Sequence, residues 1–313
     1  MAQFQGILLA LAAAFFFGVY IIPRKNSRIG AIEYQFWLCL SLPLMAYIFL
    51  AITRSRLCTE IVPVSLSMLC GVLWALGATA YSRSADLVGI TRSTLVKNFG
   101  PVLTTLYGVA LFSEFSLDEP IEFAAAIVGS LLMFGATIVI AKCKSTSQET
   151  ALAYQPELQP EQSKKLFING YLLAIVTGFC FSAYTIPMQH VLKEGWSAVE
   201  LMFWMTVGAL VSSAIIYLSS IKKLWPPKTS WGEYSRCQMT AVFWILAGLA
   251  AAFAMSKIPM GVSWPITNLC AIVTLAFGVW MYREVQLKDH WKEVLLGSAF
   301  YIVGIALLGF SIA

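Results

Sequence analysis

Charge is what this 313-residue sequence has least of. Asp, Glu, Lys and Arg make up 12% of it, where soluble globular domains carry about 25%. So little polar surface excludes the ordinary water-soluble classes first. Histidine is nearly absent, with only His190 and His290, both isolated from acidic clusters. That argues against an intramembrane enzyme, which needs a convergent His/Asp/Ser or metal set. No cofactor and no metal site are expected. The seven cysteines, at 39, 58, 70, 143, 180, 237 and 270, show no Cys-x-x-Cys spacing. They read as small buried hydrophobes rather than a disulfide framework or a zinc site. Residues 1–5, MAQFQ, lack the basic start of a secretion signal, and no removable leader is expected. The net charge of +5 comes from basic residues scattered over short polar stretches, so no nucleic-acid partner is indicated.

Apolar sequence is abundant instead, at 59% of residues and a mean hydropathy of +0.76. Runs long enough to cross a bilayer at 1.5 Å per residue recur throughout. Ten spans can be drawn: 4–23, 31–52, 65–83, 91–112, 120–141, 168–189, 197–219, 238–256, 261–282 and 291–312. The expected fold is an all-α membrane protein. One stretch between spans, 142–167, is rich in Gln, Glu, Lys, Ser and Pro and reads as a polar linker.

The chain repeats itself across that linker. GILLALAAAFFFGVYIIP (6–23) and GYLLAIVTGFCFSAYTIP (170–187) share nine of eighteen positions at an offset of 164, including Phe17/Phe181, Tyr20/Tyr184 and Pro23/Pro187. Glu33, Phe36 and Trp37 return as Glu200, Phe203 and Trp204. NFGPVLTTLYGVALFSE (98–114) returns as NLCAIVTLAFGVWMYRE (268–284), matching Asn98/Asn268, Thr104/Thr274, Gly108/Gly278 and Glu114/Glu284, with Ser93/Ser263 upstream. These matches predict one five-helix repeat over 1–141, the linker over 142–167 and a second repeat over 168–313. An odd number of spans per half makes the second repeat inverted, as in secondary transporters that bind solute where repeats meet.

Lys and Arg set the orientation. Sixteen lie on the side of the first, third and further odd-numbered loops, four on the other, and Lys97 lies inside the fourth span. The positive-inside rule then puts the linker in the cytoplasm and both termini outside, in a plasma (cytoplasmic or inner) membrane.

Ten spans in two five-span halves resemble the drug/metabolite transporter superfamily. GVLWALGATAYSRSADLVGITRSTLVKNFGPVLTTLYGVALFSE (71–114) looks like the third and fourth spans of its glucose/ribose-porter and rhamnose-transporter branch. The likeness rests on Gly71, Trp74 and Gly77, a Gly-hydrophobic-Ser/Thr entry and a Gly-to-Glu exit. It implies uptake of a sugar by alternating access, driven by protons. Lys97 has no counterpart in that sugar pattern. It leaves an exporter or exchanger of an amino acid, nucleoside or anionic metabolite as the alternative, with a non-transporting receptor or scaffold more remote.

Ionisable residues inside spans are informative because one charge at mid-bilayer costs roughly 2.5–3.5 kcal/mol on insertion scales. Lys97 stands beside Asn98 and just before Gly100-Pro101, where a proline frees backbone groups. It could attract an anionic group, pair with Glu33 or Glu200, or snorkel. Asn98 and Asn268 offer amides to a polar solute or to a neighbouring helix. Ser263, Pro265 and Thr267 give span nine an irregularity of its own, so spans four and nine are expected to face each other. Tyr20, Tyr184, Trp74 and Trp264 could stack on a sugar or sit in an interfacial belt. Glu33 and Glu200 are candidate proton carriers, or glutamates favoured at helix N-termini. Glu114 and Glu284 read as solvated span ends. The expected partners are a small-molecule solute, the lipid bilayer and protons.

Overall fold

Long apolar runs spaced by short polar stretches fold here as helices, which satisfy their own backbone hydrogen bonds where water is excluded. The structure, a computed structural model, describes residues 1–57, 59–114, 120–141, 160–222, 229–281 and 287–312. Every regular element among them is helical: α1 (Ala2–Val19), α2 (Ile22–Lys25), α3 (Ala31–Ile52), α4 (Ile61–Val88), α5 (Ile90–Lys97), α6 (Gly100–Phe112), α7 (Pro120–Ala141), α8 (Pro160–Ala183), α9 (Thr185–Lys193), α10 (Ala198–Ile221), α11 (Trp231–Met255), α12 (Met260–Thr267), α13 (Cys270–Trp280) and α14 (Leu287–Phe310).

Nine helical stretches among the described residues are long and apolar enough to cross a membrane. The expected fourth span, 91–112, is two short helices, α5 and α6, with Asn98 and Phe99 between them. Pro101 lies in the first turn of α6, where its missing N–H costs nothing, and the chain interrupts the helix just before it. The expected third span extends at both ends to Ile61 and Val88. The expected linker lies outside the described residues as far as 159, and from Pro160 onward it belongs to α8.

Small residues decide how closely the helices pair. α4 lies against α10 and α8, α1 against α11, α3 against α10, and α7 against α14. At the α4–α10 crossing a Cβ on Gly71 would come within 1.9 Å of the Met205 carbonyl oxygen. One on Gly208 would meet the Met68 carbonyl oxygen at 2.2 Å. Only glycine lets these two backbones touch. Large apolar side chains such as Leu8, Phe15, Ile48, Val128, Phe179 and Ile215 stay exposed on the outer faces, as a lipid-facing surface requires.

Candidate functional site

Two interrupted helix pairs meet at the centre of the site. α12 and α13 are separated at Asn268 and Leu269 as α5 and α6 are at Asn98 and Phe99. The Asn98 side-chain Nδ2 reaches the Asn268 carbonyl oxygen and the Tyr301 hydroxyl, each at 3.4 Å. The Asn268 Nδ2 donates to the Trp264 carbonyl at 2.9 Å. Pro265 inside α12 removes the N–H that would bond the Gly261 carbonyl four residues back. The Thr105 hydroxyl of α6 donates to that carbonyl at 2.9 Å. The break in one helix is thus repaired by a side chain from the other interrupted pair.

A chamber opens beside the breaks. Phe17, Tyr20, Trp74, Tyr81, Thr94, Lys97, Phe181, Tyr184, Trp264, Thr267, Asn268, Cys270 and Thr274 line it. Trp264 takes Tyr184 edge-on at 5.2 Å between ring centroids and Phe17 at 6.3 Å. Trp74 is held by Trp244 of α11 at 4.1 Å. The Tyr81 hydroxyl shares a short hydrogen bond with Thr94. The free volume is about 30 Å³, room for only a few waters.

Among the described residues, Lys97 is the one Asp, Glu, Lys, Arg or His in that wall. It is 7% exposed, and its Nζ donates to Asn98 Oδ1 at 2.9 Å. The ammonium also lies 5.7 Å from the Tyr81 ring centre and 5.9 Å from that of Phe181, near the outer limit of cation–π attraction. Lys97 closes the eight-residue helix α5, about 12 Å of helix from its start.

Of the residues singled out in the sequence, Tyr20, Trp74, Lys97, Tyr184, Trp264, Thr267 and Asn268 converge on the chamber, and Asn98 stands behind Lys97. Ser263 is buried, its hydroxyl without a hydrogen-bond partner among the described residues, and it does not line the space. Glu33 and Glu200 also stand outside it, in the first turns of α3 and α10. Glu200 completes a capping box: its Oε2 accepts from the Ser197 backbone and hydroxyl at 3.1 and 2.7 Å, and its own N–H bonds Ser197 Oγ. The Ser-x-x-Glu spacing carries that role in the sequence.

Two features were missed by sequence reasoning. Trp244 lies 170 residues after Trp74, the same spacing as Asn98 to Asn268, and that repetition was the available signal. Glu114, expected to be solvated, is instead locked at the start of α12. Its Oε1 accepts from the Met260 N–H at 2.8 Å and from Gln189 at 3.2 Å, and its Oε2 from the Gly261 N–H at 2.7 Å. Two N–H groups that a helix leaves unpaired in its first turn are satisfied by one carboxylate. Burial raises the Glu114 carboxyl above the ordinary glutamate range, while those two N–H groups and Lys193 draw it partly back. The signal was a Gly-x5-Glu ending in both halves, Gly108 to Glu114 and Gly278 to Glu284; Glu284 itself lies outside the described residues. Elsewhere, one guanidinium nitrogen of Arg24, Nη2, donates to both Asp86 oxygens at 2.7 and 3.0 Å, tying α2 to α4. Ser27, the Arg28 N–H and Arg236 converge on Glu233, tying the α2–α3 turn to α11.

Known proteins resemble the chain over nearly its whole length. A candidate sugar uptake protein of Bacillus anthracis is 24% identical over 307 residues, covering 97% of this chain and 99% of its own. A candidate glucose uptake protein of Priestia megaterium, GlcU, is 21% identical over 310 residues, covering 97% and 98%. A solved crystal structure at 14% identity matches with a TM-score of 0.68 over 96% of this chain and 97% of its own, a likeness of fold alone. The profile of the sugar transport protein family matches residues 8–311. With nearly its whole length matched by that profile, the chain belongs to the sugar transport protein family.

Proposed function

We propose that the chain is a secondary transporter that carries a sugar across the plasma membrane by alternating access, with protons as the coupling ion. Its ten membrane segments, counting α5 and α6 as one broken segment, form two inverted five-helix repeats, 1–141 and 168–313. The linker 142–167 is cytoplasmic and both termini lie outside. The observation that carries this reading is the meeting of the two helix breaks, at Asn98 and Asn268, beside a chamber walled by aromatics from both halves. Rings stack on the C–H faces of a sugar, and amides and threonine hydroxyls bond its hydroxyls. A chamber of about 30 Å³ is far too small for a monosaccharide, so its walls must part to admit one. Glu33 and Glu200, the proposed coupling carboxylates, stand away from the chamber. A proton bound there acts through helix packing rather than on the solute.

The test is counterflow of labelled sugars into proteoliposomes at two pH values. Saturable exchange of at least one sugar, with uptake increased by an acidic exterior, is expected. Absence of exchange for every sugar overturns the reading, and exchange indifferent to a pH gradient removes the proton from it.

A further inference from the structure

Resting on the sugar-transport reading, we propose that the preferred solute is an acid sugar, a hexuronate or aldonate whose single carboxylate pairs with Lys97. The ammonium is buried at membrane depth with one hydrogen bond, to Asn98 Oδ1. It forms no ion pair among the described residues, and the chamber wall holds no Asp or Glu. An ammonium has three N–H donors, so two remain for a ligand. A buried cation that lacks a counter-charge is costly, and a neutral sugar would leave it uncompensated in the closed state. A carboxylate brings both the charge and the acceptors.

The arrangement also fixes the number and position of that charge. At the spacing of 170 that relates Asn98 to Asn268, the position matching Lys97 is Thr267. One half therefore offers a cation where the other offers a hydroxyl, and a solute charged at one end only fits that asymmetry. A phosphate carries about −1.5 to −2 at neutral pH and calls for a second cation or an arginine fork, neither of which is among the described residues of the wall. The ring of the solute falls among Trp264, Tyr184 and Tyr20, and its hydroxyls meet Thr267 and Asn268.

Counterflow of labelled glucuronate, gluconate, glucose and glucose 6-phosphate, run side by side in proteoliposomes, tests this. Glucuronate or gluconate exchanging at least about tenfold faster than glucose is expected, the size of one charge-assisted hydrogen bond. Lys97→Gln, which keeps a donor to Asn98 but no charge, lowers the acid-to-neutral ratio by a similar factor, and Lys97→Arg retains most of it. Glucose exchanging as fast as the acids, faster exchange of the phosphate ester, or an unchanged ratio in Lys97→Gln overturns the acid-sugar assignment while leaving sugar transport standing. Failure of all four compounds to exchange removes both. Should Lys97→Gln not fold, competition of unlabelled glucuronate and glucose against labelled glucuronate in the unaltered protein decides the same question: stronger competition by glucuronate supports the assignment, and equal competition overturns it.

Discussion

At the scale of single residues, Asn98 and Asn268 show why a polar side chain is worth keeping at membrane depth. A helix break there exposes backbone groups that lipid cannot satisfy. Asn268 returns its amide to the Trp264 carbonyl of its own helix, and Asn98 reaches across to the Asn268 carbonyl. The Asn98 amide is fully engaged, by Asn268, Tyr301 and Lys97, whereas Asn268, which lines the chamber, has its side-chain oxygen and a second N–H beyond this contact. Asn268→Ala should cut exchange by about tenfold or more, as loss of a buried hydrogen-bonding group costs ~1–3 kcal/mol, while the protein still inserts and elutes as a folded species. Wild-type exchange rates in that variant would take Asn268 out of the solute path. Both asparagines were legible from the sequence, because a polar residue inside an apolar run stands out. Trp244 was not singled out, since a tryptophan in a hydrophobic span looks like any other until its ring is found against Trp74.

At the scale of elements, the short helix α12 is anchored at both ends. Its first turn gives two N–H groups to Glu114, and its last turn opens into the chamber through Trp264, Thr267 and Asn268. The Glu114 clasp and part of the chamber wall thus belong to one short helix. The carboxyl is raised above its usual value of 4.5, burial outweighing the N–H groups and Lys193. A carboxylic acid raised on folding binds protons more tightly in the native than in the unfolded state. Its contribution to stability is then full below the unfolded value and is lost as pH rises through the native one. The melting temperature of the purified protein should fall as pH is raised above about 4.5, with a shallower fall in Glu114→Gln. Identical slopes in the two proteins would show that Glu114 does not titrate in this window. The repeated Gly-x5-Glu ending marks Glu114 in the sequence but not its burial, which depends on α6 ending beside α12, a contact between residues 146 and 147 positions apart.

At the scale of the whole molecule, bulky apolar side chains serve both surfaces, Leu8 and Ile215 facing outward and Trp74 and Trp244 buried. Small residues mark the crossings, with Gly71 and Gly208 sitting where helices touch. With lipid outside, burial of apolar surface gives little drive for helices to associate, and close packing takes over that role. The proposed topology puts the termini outside and the linker inside. A protease-sensitive tag at the C-terminus should be cleaved from the outer face of intact cells, and one inserted in 142–159 should be protected. The reverse pattern would invert the assignment.

The sequence by itself determined the membrane class, the doubled pattern, the breaks near Pro101 and Pro265 and the one cation set well inside a span, Lys97. Each of these is a local property of composition or spacing, and a charge or a proline within a hydrophobic run has few ways to be accommodated. The tertiary structure decided which residues share a space. It brought Tyr20, Trp74, Lys97, Tyr184 and Trp264 to one chamber, left Glu33 and Glu200 outside it, gave Glu200 to a helix cap and buried Glu114 against α12. Those outcomes depend on the rotation and crossing of helices distant in sequence, and side-chain packing alone sets them.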